Sequence, residues 1–242
     1  MNELIDEIEE QTRELSAEGF VLHVARRFGD RVALSSSLGA EDQVLTDMVC
    51  RLTPRFRIFT LDTGRIPEET YDVIAATNER YGIRITVLFP DREEVESMVN
   101  KEGPNLFYRS VEARRLCCRV RKVLPLRRQL KELGCWMTGL RRKQSTTRTA
   151  LRRVEWDEAN GLVKANPLVD WTTKQVWDYI REHKVPYNRL HDLGYPSIGC
   201  APCTRAVSAG EDLRSGRWWW ELPDHKECGL HVAYGRAVGK SR

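Results

Sequence analysis

The chain has 242 residues, of which 41% are hydrophobic and 31% are charged. A chain of this length and composition can bury a full core, which excludes a mainly disordered protein. The formal net charge of +4 is too small to indicate nucleic-acid binding by itself. The first residues are acidic and lead into no apolar segment, and no later stretch is long enough to span a bilayer. We therefore expect a cytoplasmic protein.

Helices and strands are predicted to alternate along the chain. Apolar spacing and turn residues predict helices near 4–15, 20–28, 41–52, 67–81 and 92–101, and strands at 31–34, 57–61 and 83–89. A basic helix over 119–133, broken or bent near Pro125, leads to a fourth strand at 135–138. A capping box beginning at Thr172 opens a last helix that runs to about Glu182. This alternation predicts an α/β fold with an open, mainly parallel twisted sheet flanked by helices.

Residues beyond Cys203 lose clear periodicity. Glycine and proline punctuate a polar segment there, with one aromatic run at Trp218–Trp220 that we expect to pack or to contact another subunit of a homo-oligomer. We therefore predict a nucleotide-binding α/β domain over 1–204 and a mobile C-terminal tail over 205–242.

Two polar turns follow the first two predicted strands. The first turn is the segment 35–39, with sequence Ser-Ser-Ser-Leu-Gly, and the second is 62–65, with sequence Asp-Thr-Gly-Arg. Ligands of an open parallel sheet bind at the carboxyl ends of its strands, so both turns should face one pocket. Backbone N–H groups and the positive end of the following helix suit an oxyanion. By themselves the serines fit an ordinary helix cap equally well, because neither a Walker loop nor a dinucleotide glycine fingerprint is present.

Four of the seven cysteines form two close pairs, Cys117-Cys118 and Cys200-Ala-Pro-Cys203. Such pairs in a reducing compartment indicate a metal site rather than disulfides, and the candidates are zinc, an iron–sulfur cluster or simply buried thiols. Adjacent cysteines point in different directions, which favours a polynuclear iron–sulfur cluster because each thiolate can bind a different iron.

The remaining cysteines differ in their surroundings. Cys50 and Cys135 lie in apolar segments and are expected to pack as small hydrophobic side chains. Cys228 lies in Glu-Cys-Gly-Leu-His near the C-terminus, where Lys226 and His231 would lower the pKa of its thiol. It is either an inert surface cysteine or a nucleophile.

Cationic residues concentrate between 114 and 153. The loop after the fourth predicted strand, 139–148, opens at the same edge as the two turns and is either an anion site or a solvated basic face. Lys122 follows Cys118 by four residues, so it either lies between an anionic cluster and an anionic substrate or is solvated. Arg214 and Arg217 are three residues apart and would share a helical face.

Together these motifs resemble the adenosine nucleotide alpha-hydrolase group, and within it the reductases of adenylyl sulfate (APS) and of its 3′-phosphorylated form (PAPS). The resemblance runs from about residue 30 to 231, and its most specific parts are the two turns, the two cysteine pairs and the motif around Cys228. It implies one [4Fe-4S] cluster per subunit, held by Cys117, Cys118, Cys200 and Cys203. In the family, such a cysteine set distinguishes enzymes that mostly use APS from cluster-free enzymes that use PAPS.

The resemblance also implies individual roles. Cys228 would attack the sulfur of APS, displace AMP and form an S-sulfocysteine, which reduced thioredoxin or glutaredoxin then cleaves to release sulfite. The implied substrate-binding residues are Ser35, Ser36, Ser37, Gly39, Asp62, Thr63, Lys122, Gly139, Arg141, Arg148, Arg214, Arg217 and His231.

Three alternatives stay open at the level of sequence. A reductase of PAPS, or of both sulfonucleotides, needs only one more cation at the ribose. A tRNA-thiolation enzyme would share the nucleotide-binding fold, although the first turn lacks the Ser-Gly-Gly-x-Asp-Ser pattern and no RNA-binding module is evident. A zinc-stabilised binding protein would keep the four cysteines and tolerate the loss of Cys228. We expect neither a nucleic-acid nor a membrane partner.

Overall fold

The computed structural model describes residues 2–53, 55–144, 150–208 and 210–222. Three predicted site residues, Arg148, Cys228 and His231, lie outside these ranges. Within them, the helices are α1 Asn2–Thr12, α2 Ala17–Phe28, α3 Ala40–Leu52, α4 Glu68–Tyr81, α5 Arg92–Glu102, α6 Val111–Cys118, α7 Leu124–Leu130 and α8 Thr173–His183. The strands are β1 Val32–Ser35, β2 Arg57–Leu61, β3 Thr86–Leu88, β4 Cys135–Met137, β5 Val154–Asp157 and β6 Leu162–Ala165. None of the described helices combines the length and the apolar composition that a bilayer crossing requires.

The strands form one sheet in the order β3-β2-β1-β4-β6-β5. Every neighbouring pair is parallel except β5 and β6, so the predicted mainly parallel sheet flanked by helices is confirmed. β1 lies at the centre, where Leu34 pairs with Ile58 on one side and with Met137 on the other. Central parallel strands are buried on both faces, which explains why β1 is a run of apolar residues.

Side chains of β1 alternate between two cores. Val32 and Leu34 pack into the larger core, to which α1, α2, α3, α4 and α8 also contribute. Ala33 points to the opposite face and packs with Leu126 and Leu130 of α7. Helices therefore pack on both faces of the sheet, and its strand ends are the place where such a sheet binds a ligand.

The antiparallel hairpin of β5 and β6 was not predicted. Its strands pair from Val154 with Ala165 to Asp157 with Leu162. The turn between them contains Asn160 and Gly161, and Gly161 has a φ of 70°, which favours glycine. This Asn-Gly dipeptide between short apolar runs is the hairpin signal that the sequence carries.

The basic helix predicted over 119–133 is wrong in its start, while the predicted break near Pro125 agrees with the start of α7 at Leu124. α6 begins at Val111 after the Ser110 cap, so Cys117 and Cys118 end a helix rather than begin one. A π-helical segment, Arg119–Val123, then leads into α7. Pro125 lies in the first turn of α7, where its missing N–H is tolerated, and the wider π turn comes before it.

The described part of the C-terminal segment packs against the domain. Trp218 is 1% exposed and belongs to a core cluster that also contains Cys117 and Cys203. Thr204 and Arg217 form an isolated antiparallel bridge. Residues 223–242, the greater part of the predicted tail, lie outside the described ranges, and the division into a domain and a mobile tail stays a prediction.

A buried carboxylate joins three helices. Asp47 of α3 accepts hydrogen bonds from the hydroxyls of Tyr81 and Tyr179 and from Nε of Arg51, at 2.9, 2.7 and 2.7 Å. Burial acts to raise the pKa of Asp47, but the hydrogen bonds from Tyr179, Arg51 and Tyr81 outweigh it and hold the pKa below its ordinary value. The ionised form of Asp47 is therefore the one that stabilises the fold.

We expect Asp47→Asn to lower the free energy of unfolding by about 3 kcal/mol at pH 7, because it removes a buried charge with three donors around it. A carboxylate with a depressed folded-state pKa contributes stability above its unfolded pKa, so the difference from the wild type should shrink as the pH falls below about 4. Urea denaturation of both proteins, at pH 7 and at the acidic pH, measures these free energies of unfolding. The surface carboxylate Asp178, which pairs with Lys174 and Arg181, is the matched control, and Asp178→Asn should change little. An equal effect of the two substitutions would contradict the role given to Asp47.

Candidate active site and the cysteine cavity

A cavity of about 220 Å³ opens at the carboxyl ends of β1, β2 and β4. The predicted site residues that line it are Ser35, Ser36, Ser37, Gly39, Thr63, Lys122, Gly139, Arg141, Arg214 and Arg217. Residues from the two turns, the loop after β4 and the C-terminal segment thus meet in one place. The predicted position of the pocket, at the strand ends, agrees with this geometry.

The serine turn is a tight loop that leads into α3. The backbone N–H of Ser36 donates to Phe59 O at 2.8 Å, which extends the β1–β2 ladder by one bond. The Ser36 hydroxyl accepts from the Leu38 N–H at 3.1 Å, and Leu38 has a φ of 61°. Gly39 then forms the N-cap of α3 without a side-chain cap. The first turn of α3 therefore faces the cavity with the positive end of its helix dipole.

Asp42, which was not predicted, ties the serine turn to the loop after β4. Its carboxylate accepts from the N–H and the hydroxyl of Ser37 at 2.6 and 2.5 Å, and from the N–H of Gly139 at 2.9 Å. Burial raises the pKa of Asp42 to about 6, although the hydrogen bonds from Ser37 oppose the shift. A signal was available, because an acidic residue in the first turn of a helix is well placed to bond to preceding backbone groups.

Gly139 lies against this carboxylate so closely that no side chain fits. A Cβ at Gly139 would collide with the Asp42 carboxylate and would lie 2.9 Å from the Cβ of Glu41. The absence of a side chain therefore allows the loop after β4 to approach the start of α3.

Arg141 borders the cavity, but its guanidinium is bonded within the protein. Nε and Nη2 donate to Glu41 at 2.9 and 2.7 Å, Nη1 donates to Trp171 O at 3.0 Å, and Nη2 also bonds to Thr173 Oγ1 at 3.2 Å. The side chain is only 2% exposed. Arg141 thus fixes the wall of the cavity through Glu41 and the start of α8.

The two polar residues of the second turn, Asp62 and Thr63, have different roles. Asp62 is buried outside the cavity lining, where it accepts from the Gly64 N–H and from the Tyr71 hydroxyl, both at 2.7 Å. The hydrogen bond to Asp62, with burial, raises the pKa of Tyr71 to about 12. Thr63 does line the cavity, and its hydroxyl lies 3.2 Å from Cys200 Sγ. Asp62 therefore holds the turn in shape, while Thr63 connects it to the cysteines.

The C-terminal segment supplies cations to the opposite wall. Arg217 Nη1 donates to Ser197 Oγ and to Ile198 O at 3.3 and 3.2 Å. Its guanidinium occupies the space that a Cβ at Gly199 would need, so a side chain there would displace the guanidinium. Arg214 borders the same cavity, and both guanidiniums lie over the Trp218 ring, at 6.0 Å for Arg214 and 4.6 Å for Arg217.

The four paired cysteines line a second, smaller cavity. Cys117, Cys118 and Cys203 are buried, and Cys200 is partly buried. The N–H of Ala201 donates to Arg65 O at 2.8 Å, so the Cys200–Cys203 segment is fastened to the second turn. Among the described residues, no group of three or more His, Cys, Asp or Glu side chains is placed to hold a metal ion. The structure does bring the two predicted pairs together around one space.

Lys122 borders both cavities. Burial acts to raise the pKa of Cys200, but Lys122, the Thr63 hydroxyl and Arg217 outweigh it and lower the pKa below its ordinary value. In contrast, burial raises the pKa of Cys203 to about 12. The two cavities are therefore neighbours that share one ammonium group.

The sequence did not single out His191, which also lines the larger cavity. Its Nδ1 lies 2.8 Å from Tyr195 O, which accepts only, so Nδ1 carries the proton. Burial lowers the pKa of His191 and favours the neutral ring. No motif in the sequence marks this histidine.

The expected packing roles of Cys50 and Cys135 are confirmed, since Cys135 is fully buried in the larger core and Cys50 packs against that core.

Residues 31–206 match the family described as "Phosphoadenosine phosphosulfate reductase domain". An "Adenosine 5'-phosphosulfate reductase" of Allochromatium vinosum is 53% identical over 220 residues, which covers 91% of this chain and 86% of the relative. A protein of the same name from Burkholderia cepacia is 51% identical over 203 residues, which covers 84% of this chain and 81% of the relative.

Solved structures agree with these relatives. The crystal structure of phosphoadenylyl-sulfate (PAPS) reductase from Candida auris, in a phosphate complex, has a TM-score of 0.72 and 31% identity, covering 86% of this chain and 98% of that one. An FMN adenylyltransferase from Candida glabrata has a TM-score of 0.56 at 16% identity, covers 88% of this chain and 72% of that one, and shares the fold alone. The predicted resemblance is confirmed, and the chain belongs to the phosphoadenosine phosphosulfate reductase family.

Proposed function

We propose that this protein is a thiol-dependent APS reductase that produces sulfite and AMP in assimilatory sulfate reduction. The observation that carries the proposal is that Lys122 borders both the cavity at the strand ends and the cavity of the four cysteines. The relatives named adenosine 5'-phosphosulfate reductase support APS as the substrate. We further propose that the protein acts in the cytoplasm, where a reduced thioredoxin or glutaredoxin is available as the donor.

The larger cavity suits an adenylyl group that carries two linked anions. The serine turn and the first turn of α3 offer backbone donors to a phosphate or sulfate, and Lys122, Arg214 and Arg217 add positive charge. Gly139 would lie against the adenosine. Arg148 and His231 are proposed to complete the anion site, and both lie outside the described residues. The geometry of Arg141 and Asp62 favours indirect roles for them, as supports of the cavity wall.

The residues around the smaller cavity suit an anionic group bound by thiolates. Cys117, Cys118, Cys200 and Cys203 line one space, and Arg65, Arg114, Arg121 and Lys122 surround it. Cations of this kind stabilise thiolate ligands and the net negative charge of an iron–sulfur cluster. We therefore propose that the four cysteines hold one [4Fe-4S] cluster. When bound, the cluster would supply a local electrostatic field beside Lys122.

The proposed chemistry is two successive displacements at sulfur. The Cys228 thiolate attacks the sulfur of APS, an S–S bond forms, and the S–O bond breaks so that AMP leaves with the electron pair. Lys122 and the cavity arginines stabilise charge on the departing AMP. A thiolate of the donor then attacks Cys228 Sγ and releases sulfite, and the second donor thiol resolves the mixed disulfide. The donor is oxidised to a disulfide, and no hydride cofactor is needed.

Use of PAPS, alone or together with APS, is the alternative that one observation favours. The solved relative from Candida auris is named a PAPS reductase. The comparisons give no support to tRNA thiolation or to a zinc-stabilised binding protein. Subunit number and the identity of the thiol donor stay predictions.

The test of the reaction is release of sulfite and AMP from APS with a reduced thioredoxin, beside a parallel assay with PAPS. We expect APS to be turned over at least about tenfold faster, and Cys228→Ser to abolish release because serine is a poor nucleophile at sulfur. Mass spectrometry of the wild type with APS and no donor should show the sulfo adduct on Cys228. Cys50→Ser, a change at a cysteine packed against the core, is the control. Normal turnover by Cys228→Ser, or an adduct on another cysteine, would refute the assignment.

Iron content and absorbance of anaerobically purified protein test the cluster. Cys203→Ser should lose most of the bound iron and the visible absorbance, because one of four ligands is weakened. Cys135→Ser changes a thiol that is buried in the core, away from the small cavity, and should keep both signals. Colourless, iron-free wild type with full activity would exclude the proposed cluster.

Gly139→Ala tests the close approach of the loop after β4. The added methyl group collides with Asp42 and Glu41, so we expect AMP to bind about 1–3 kcal/mol more weakly, as overpacking predicts. Calorimetric titration with AMP measures the change. Gly134→Ala is the matched control, since its methyl group would meet Arg31 and Phe28 at an ordinary 3.4 Å. Unchanged AMP affinity in Gly139→Ala would show that this contact does not shape the binding site.

A further inference from the structure

Arg114 of α6 is a fully buried cation that the proposed reaction does not use. Its Nε and Nη2 donate to the two carboxylate oxygens of Glu221 at 2.9 and 2.7 Å. The two side chains are only 1% and 3% exposed. This bidentate pair joins the helix that ends in Cys117-Cys118 to the C-terminal segment, 107 residues further along the chain.

The same guanidinium contacts the segment at a second place. Arg114 lies over the Trp218 ring at 4.7 Å, and Arg217 lies over that ring at 4.6 Å. The backbone N–H of Trp218 donates to Cys203 O at 3.1 Å, and the backbone N–H of Glu221 donates to Trp218 O at 2.8 Å. The turn 217–221 is therefore fixed at both ends, with Arg217 in the substrate cavity and Glu221 on Arg114.

Arg114 also reaches the cysteine cavity. It lines that cavity together with Cys118. One guanidinium thus borders the proposed cluster ligands, lies over an aromatic ring of the C-terminal segment and pairs with the carboxylate at the end of the turn.

Because both side chains are buried, the ion pair between Arg114 and Glu221 determines how the C-terminal segment docks on the domain. Removing one member of a buried pair leaves an uncompensated charge out of water, which costs far more than the loss of an exposed pair. The segment can leave the domain only if Arg114 and Glu221 are both rehydrated, or if one of them is left buried alone.

We propose that Arg114 and Glu221 are positioning residues that fix the start of the C-terminal segment on the cysteine site. The placement of Arg217 in the substrate cavity depends on this ion pair. That this placement of Arg217 serves substrate binding rests on the proposed function. The docking itself does not depend on which substrate is reduced.

Hydrogen exchange of the purified full-length protein tests the docking directly. Glu221→Gln keeps the shape of the side chain and removes its charge, and it leaves Arg114 itself unchanged. We expect backbone amides within 210–222 to exchange about tenfold faster in this variant, while α3 exchanges at the wild-type rate. Arg152→Met is the matched control, because Arg152 pairs with Glu9 at the surface, with side-chain exposures of 51% and 33%.

Binding and turnover separate positioning from general destabilisation. In Glu221→Gln, the KM for APS should rise and the affinity for AMP should fall, each by about tenfold, because Arg217 is less well placed. Arg114→Lys, which keeps the charge but loses the bidentate fork, should lie between Glu221→Gln and the wild type. The iron content of Glu221→Gln should match the wild type, since no proposed cluster ligand is changed.

Two results would overturn the proposal. One is wild-type exchange of 210–222 in Glu221→Gln. The other is faster exchange spread evenly over the whole protein, including α3, which would mark the pair as a general stabiliser. Both results are exchange rates and do not depend on activity. A wild type that fails to reduce APS would therefore refute the proposed function, while the exchange experiment would still test the docking. If Glu221→Gln does not fold, Arg114→Lys is judged by the same exchange criteria.

Discussion

The larger cavity depends on one buried carboxylate. Asp42 accepts three hydrogen bonds from two loops that are far apart in the sequence, and both loops line the cavity. Parallel strands bring the loops to one edge, but strand geometry alone does not fix how closely they approach. The donors from Ser37 and Gly139 do so, because leaving either N–H unpaired beside a buried carboxylate would be costly. The absent side chain at Gly139 is the steric counterpart of this contact.

Charge is distributed so that the cysteine cavity and the substrate cavity affect each other. Lys122 lies between them, and its field lowers the pKa of Cys200 on one side while it faces the proposed sulfonucleotide on the other. Arg217 also affects both cavities, because it borders the larger cavity and helps to lower the pKa of Cys200. Any change in charge at the cysteines is therefore felt by a bound anion, at separations where protein interiors screen weakly.

The sequence predicted the central sheet well because each element has its own local signal. β2 was placed at its observed bounds, and α3 and α5 within a residue or two, since apolar periodicity and turn residues mark their ends. The hairpin of β5 and β6 was missed although the Asn160-Gly161 turn between its strands is a hairpin signal. The role of Arg141 could not be predicted either. Its partner Glu41 is 100 residues away, and only the folded chain shows that the guanidinium is already bonded.

The π-helical segment Arg119–Val123 makes the direction of Lys122 sensitive to chain length. A π turn holds more residues than an α turn, so a lysine four positions after Cys118 does not stack directly above it. Loss of a single residue between Cys118 and Lys122 would close this wide turn and shift the ammonium relative to the cysteine pair. Its place at the boundary between the two cavities would change, even though every residue type in the motif were retained. Spacing, as much as composition, thus determines whether cysteines and bound anion share a cation.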